Sequence, residues 1–170
     1  MAESILLFSP QSSLLSRAGR KTKVWYHLLG MWLAGICAIV GWLAIYSNKE
    51  RTDAPHGATN HGRIGFITVL YTTMQCFGGM ALYFPSISMK FVKYSKLKVM
   101  HATSGTLLFT MACGSLVLGM CSNWFTGQVT GTSWYACVTC PLLLTLIVWT
   151  QVTSHYVFKK QPPAADSVQQ

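Results

Sequence analysis

Hydrophobic residues along this chain gather in four long runs separated by short polar stretches. The runs cover Val24–Tyr46, Ile64–Phe84, Val99–Cys121 and Trp134–Phe158, and none contains Asp, Glu, Lys or Arg. A helix needs roughly 20 apolar residues to cross the hydrocarbon core of a bilayer. These runs are too long for strands, and an isolated strand cannot satisfy its backbone groups in lipid. The pattern therefore predicts four transmembrane helices. Pro85 is expected to close the second helix and Pro141 to kink the fourth near its start, because proline removes a donor and crowds the preceding turn.

The two ends differ from this pattern. "MAESILLFSP" holds an apolar patch too short to span, without the basic flank and cleavage site of a signal peptide. It reads as the end of a helix whose beginning is missing. "QPPAADSVQQ" reads as a disordered tail. The expected organisation is one helical unit over 1–160 and a tail over 161–170.

Composition agrees with a bilayer setting. Hydrophobic residues make up 51% of the chain and charged residues 10%, where a soluble domain carries about a quarter charged. The expected class is an all-α integral membrane protein built as a four-helix bundle, with lipid as its first partner. The net charge of +9 is unevenly placed. Arg17, Arg20, Lys21 and Lys23 precede the first run; Lys90, Lys93, Lys96 and Lys98 join the second to the third; Lys159 and Lys160 follow the fourth. In the first of the other two connections Lys49, Arg51 and Arg63 stand against Glu50 and Asp53, and 122–133 carries no charge. The positive-inside rule puts both termini in the cytoplasm. Trp25, Tyr26, Tyr83, Trp124, Trp134 and Tyr135 sit where interfacial aromatic belts form. Basic residues so placed call for no nucleic-acid partner.

Two histidines stand at matching places. His27 lies four residues past Lys23, and His101 three past Lys98. The first and third helices run in the same direction, so at about 1.5 Å rise per residue the two imidazoles share a depth below the cytoplasmic surface. From there they could approach one haem iron from opposite faces. Equally, each ring could simply hydrogen-bond near the interface as an amphipathic side chain. A zinc site has less support, because no third ligand is placed with them. His61 opens the second helix near the opposite surface, His56 lies in the loop before it, and His155 returns to the cytoplasmic side.

Other features are read as structural. The glycines within the runs suit close helix packing, and Thr72, Thr73 and Gln75 can bond across helices. Cys137 and Cys140 form "CVTC", but inside an apolar helix this is a weak redox signal. The six cysteines do not form a disulfide framework, since most lie in the membrane.

The blocks "LLFSPQSSLL", "KVWYHLL", "TNHGRIG", "MQCFGG", "LKVMHATSG" and "LGMCSNWFTGQVTGTSWY" occur in order from Met1 to about Lys160. With these blocks and their separations the chain resembles the cytochrome b561 family, most closely its short animal members. The resemblance implies a six-helix core with two b-type haems, one near each membrane face, each held by a histidine from each of two helices. Matched by position, His27 and His101 correspond to the ligands of the cytoplasmic-side haem. His61 corresponds to one ligand of the other haem, whose partner would lie upstream of this chain's start. The four predicted helices would then be the last four of six, with Met1 an internal start and one haem expected here. His56 is too near His61 in sequence to reach the opposite face of one iron.

The resemblance further implies transmembrane electron transfer, from cytoplasmic ascorbate to monodehydroascorbate or ferric iron, in the endoplasmic reticulum or vesicle membranes. Ascorbate is an anion, and Lys21, Lys23, Lys96 and Lys98 flank the His27/His101 end, where they could steer it. The same lysines also satisfy the positive-inside rule. With one haem ligand and two helices missing, the relay is expected to be impaired; a homodimer is possible. The alternative is a non-enzymatic protein with four spans that binds no haem.

Overall fold

The computed structural model describes residues 1–9, 15, 17–84, 86 and 92–156, with the backbone alone at 155 and 156. The described residues form helices and connections, without strands. In chain order the helices are α1 (Ala2–Leu6), α2 (Arg20–Arg51), α3 (Asn60–Tyr83), α4 (Tyr94–Met120), α5 (Asn123–Gln128) and α6 (Gly131–Tyr156). Four of them, α2, α3, α4 and α6, are long and apolar enough to cross a membrane. The chain is thus an all-α, multi-pass membrane protein.

These helices outrun the apolar stretches that predict them. Nothing in the backbone ladder stops at the membrane surface, so polar residues continue the helix on both sides. With its 32 residues, α2 is about 48 Å long at 1.5 Å per residue. That exceeds a hydrocarbon core of about 30 Å, so its ends reach the headgroups. The Thr59 hydroxyl caps α3 by accepting from Gly62 N at 3.1 Å. Between α2 and α3, Asp53 and Gly57 take positive φ angles of 50° and 62°. The turn is tied down by Lys49 Nζ donating to the Pro55 carbonyl at 2.7 Å. The neutral connection after α4 contains a short helix, α5, which the sequence analysis leaves as loop; its N-cap is the Ser122 hydroxyl, accepting from Phe125 N. Helix α6 continues through Pro141 without a break. Pro85, Lys90, Phe158, Lys159, Lys160 and the tail from 161 to 170 lie outside the described residues.

Packing follows the chain order. Helix α3 lies against α2 and α4, α4 also lies against α6, and α1 touches α2 and α6. Between lipid-bathed helices close approach replaces the hydrophobic effect as the cohesive force, and small residues permit it. A Cβ at Gly65 would lie 3.3 Å from the Ser115 hydroxyl, and one at Gly35 would lie 3.5 Å from Cys76 Sγ. Leu33, Val40, Met74 and Leu146 point outward, as lipid-facing residues do. Inside, Leu6 of α1 joins Phe109, Cys113 and Val148 in a small core. Leu108 and Val148 are 0% exposed. Leu108→Ala should lower stability by about 2–5 kcal/mol, the range for truncating a buried leucine. Thermal unfolding in detergent measures this; an unchanged midpoint would show that the site collapses without cost.

Candidate functional site

His27 and His101 are each the eighth residue of their helices, α2 and α4. Their ring centres lie 6.3 Å apart and their planes make an angle of 81°. The level placement inferred from the lysine spacing therefore becomes a facing pair. Each ring is held differently. His27 Nδ1 lies 2.7 Å from the Ser4 carbonyl. A carbonyl only accepts, so Nδ1 carries the proton and Nε2 keeps its lone pair. Phe8 tilts against the same ring, with centres 5.3 Å apart. The apolar start of the chain is thus a short helix seated on His27. His101 rests against α3, where a Cβ at Gly79 would stand 3.3 Å from its Cε1. Its Nδ1 is buried and has no hydrogen-bond partner among the described residues.

His61 sits at the other end of the bundle. Its Nδ1 donates to the Ser115 carbonyl of α4 at 2.8 Å. Gly119 leaves room for the ring, since a Cβ there would lie 3.0 Å from Cε1. His61 is exposed, and among the described residues no second imidazole faces it as His101 faces His27. His56 is engaged elsewhere: it stacks on Tyr46 at 4.4 Å and pairs with Glu50 at 2.7 Å. The side chain of His155 lies outside the described residues. Among the described residues, no group of three or more His, Cys, Asp or Glu is placed to hold a metal ion.

The four lysines gather at the end of the bundle that holds the His27/His101 pair. Lys21 and Lys23 lie in the opening turn of α2, Lys96 and Lys98 in the opening turns of α4. Lys21 and Lys96 are exposed, while Lys23 and Lys98 are half-buried. Sequence reasoning missed Ser4 and Ser115. Ser4 acts through its backbone carbonyl, which any residue type supplies, whereas the Ser115 hydroxyl also lies 3.3 Å from His61 Nδ1, so a serine within an apolar helix was the one signal on offer.

The family signature described as eukaryotic cytochrome b561 matches residues 1–126. The human protein named transmembrane reductase CYB561D2 is 40% identical over 161 residues, covering 95% of this chain and 72% of that protein. The protein of the same name from Bos taurus is 41% identical over the same shares. A mouse protein named probable transmembrane reductase CYB561D1 is 38% identical, covering 95% of this chain and 70% of its own length. The chain belongs to the cytochrome b561 family. No solved structure matches it.

Cytochrome b561 membership implies haem b in general terms, so the histidines can be tested for fit. An imidazole nitrogen ligates a first-row metal from about 2 Å, with the ring centre about 1 Å further back, so two imidazoles that share one ion have centres up to about 6 Å apart. The observed 6.3 Å meets that requirement. Metal-ligating histidines almost always donate their second ring N–H to a carbonyl, carboxylate or water. His27 and His61 both do so, to Ser4 and Ser115. The buried, unpartnered nitrogen of His101 is costly to leave unsatisfied in the protein alone. The residues present fit the group.

Proposed function

We propose that this chain is a haem b-binding transmembrane electron-transfer protein, an ascorbate-dependent reductase of monodehydroascorbate or ferric iron. The observation that carries this reading is the facing of His27 and His101 at 6.3 Å. The relatives' names, transmembrane reductases, supply the reaction class. Bound haem supplies reversible one-electron chemistry within the membrane.

The protein's own residues bind, orient and steer. His27 and His101 would hold the haem iron, with the Ser4 carbonyl fixing the His27 tautomer and orientation. Lys21, Lys23, Lys96 and Lys98 attract ascorbate, an anion, to that end of the bundle. The same positive charges place this end in the cytoplasm, with both termini. His61 would be a ligand for a second haem near the opposite face, and among the described residues no histidine opposes it. These residues by themselves would then hold one haem, too few for a relay across the membrane. In this reading residues 1–160 form a partial cytochrome b561 unit whose spans are the last four of six, 161–170 is a tail, and the setting is the endoplasmic reticulum or vesicle membranes.

An absorbance spectrum of the detergent-purified chain tests this, taken oxidised, with ascorbate, then with dithionite, beside a haem assay. One b-type haem per chain, reduced by ascorbate at a rate that falls with rising salt, is the expected result. A colourless protein that takes up no added haem would overturn this reading in favour of a protein with four spans that binds no haem.

A further inference from the structure

The block MQCFGG in α3 contributes no histidine, yet it grips His101 at three positions. We infer that Gln75 is a positioning residue for His101, fixing its backbone so that the ring faces His27; the functional consequence rests on the haem-ligand reading above. Gln75 is 9% exposed. Its Nε2 donates to the His101 carbonyl at 2.6 Å, and its Oε1 accepts from the Ser104 hydroxyl at 3.0 Å. In lipid a side-chain amide finds no water, so bonding both ends offsets its burial. A helical carbonyl has a second lone pair beyond the one its own helix uses, and Gln75 takes it.

The neighbourhood is shaped for this contact. A Cβ at Gly105 would lie 3.0 Å from Gln75 Nε2, so a glycine there admits the amide. Positions 75, 78 and 79 share one face of α3 by helical spacing. Gly78 and Gly79 form the floor under the ring, with notional Cβ atoms 3.9 Å from Nδ1 and 3.3 Å from Cε1. One face of α3 thus fixes the backbone of His101 and limits its ring. The next residue faces elsewhere: Cys76 Sγ points to the Met31 carbonyl of α2 at 3.6 Å.

The test uses the full chain in detergent. Gln75→Met keeps the volume and deletes both hydrogen bonds; Cys76→Ser is the neighbouring control. In haem-loaded protein, Gln75→Met should weaken haem retention by about 10–100-fold, as loss of an outer-shell partner does, and add a high-spin fraction to the spectrum. In haem-free protein labelled with 15N-histidine, the His101 ring resonances should shift while those of His27 and His61 stay put. Ser104→Ala, which removes the Oε1 anchor together with the weaker 3.3 Å contact of the Ser104 hydroxyl to the His101 carbonyl, should give a smaller shift in the same direction and guards against a Gln75 variant that fails to fold. Unmoved His101 resonances in Gln75→Met, or in Ser104→Ala where the former does not fold, would overturn the inference. An equal shift in Cys76→Ser would do so too, by exposing a general packing effect. A parent chain that takes up no haem would defeat the haem reading, while the histidine resonances would still decide for or against Gln75.

Discussion

Alanine at His101 should leave the purified chain without haem, and alanine at His27 should do the same. The two rings meet each other from α2 and α4 at 6.3 Å, and among the described residues neither has a spare imidazole behind it. His61 is held to Ser115 near the far end of α4, and His56 is occupied by Tyr46 and Glu50. Losing a direct ligand costs more than the 10–100-fold loss in affinity that removal of an outer-shell partner typically brings. Haem assay and spectrum read the loss. Circular dichroism and gel filtration confirm that each variant remains folded. His61→Ala is the internal comparison: its haem content should match the parent. Full haem content in either His27→Ala or His101→Ala would remove the pair from the mechanism, and equal loss in His61→Ala would end the one-haem assignment.

The pair was legible because bilayer physics supplies a ruler. Charges cannot sit cheaply in hydrocarbon, so Lys23 and Lys98 mark the same surface on two helices, and residues counted from them share a depth. The four spans were legible for the same reason. What stayed hidden depends on rotation about the helix axes and on backbone atoms. Nothing in "MAESILL" says that its fourth residue offers a carbonyl to an imidazole on another helix. Nor does the residue type of Ser115 reveal that its carbonyl, at 2.8 Å, holds His61. The short helix α5 did carry a signal, a serine at its N-cap. A six-residue helix has too few apolar positions for a periodic pattern to confirm it. The packing role expected of the glycines holds at Gly35, Gly65 and Gly105, which face side chains of neighbouring helices, whereas Gly41 and Gly114 have nothing within 4 Å of a notional Cβ. Gly79 and Gly119 do something narrower, leaving space for His101 and His61 themselves.

Gly30→Val should release the N-terminal segment from His27 and weaken haem binding by about 10–100-fold. Gly30 follows His27 by three residues, so it lies on the same face of α2. A Cβ there would overlap the Ser4 hydroxyl and come within 3.2 Å of Ser4 Cβ. The hydroxyl can rotate away from one methyl group, but the branched valine presses on the Ser4 backbone as well. Helix α1 must then lift, and two things go with it. His27 Nδ1–H loses the Ser4 carbonyl, with no water in hydrocarbon to replace it. Leu6 leaves its contact with Phe109 and Val148. Glycine is itself a poor helix former, by about 0.5–1 kcal/mol against alanine, so the substitution does not damage α2 as an isolated helix. Gly41→Val separates these effects, because Gly41 lies on the same helix with nothing within 4 Å of its notional Cβ. Haem titration of the two variants side by side gives the answer. If Gly30→Val binds haem as tightly as Gly41→Val, the Ser4 carbonyl is dispensable, and the His27 imidazole is oriented by its own helix alone.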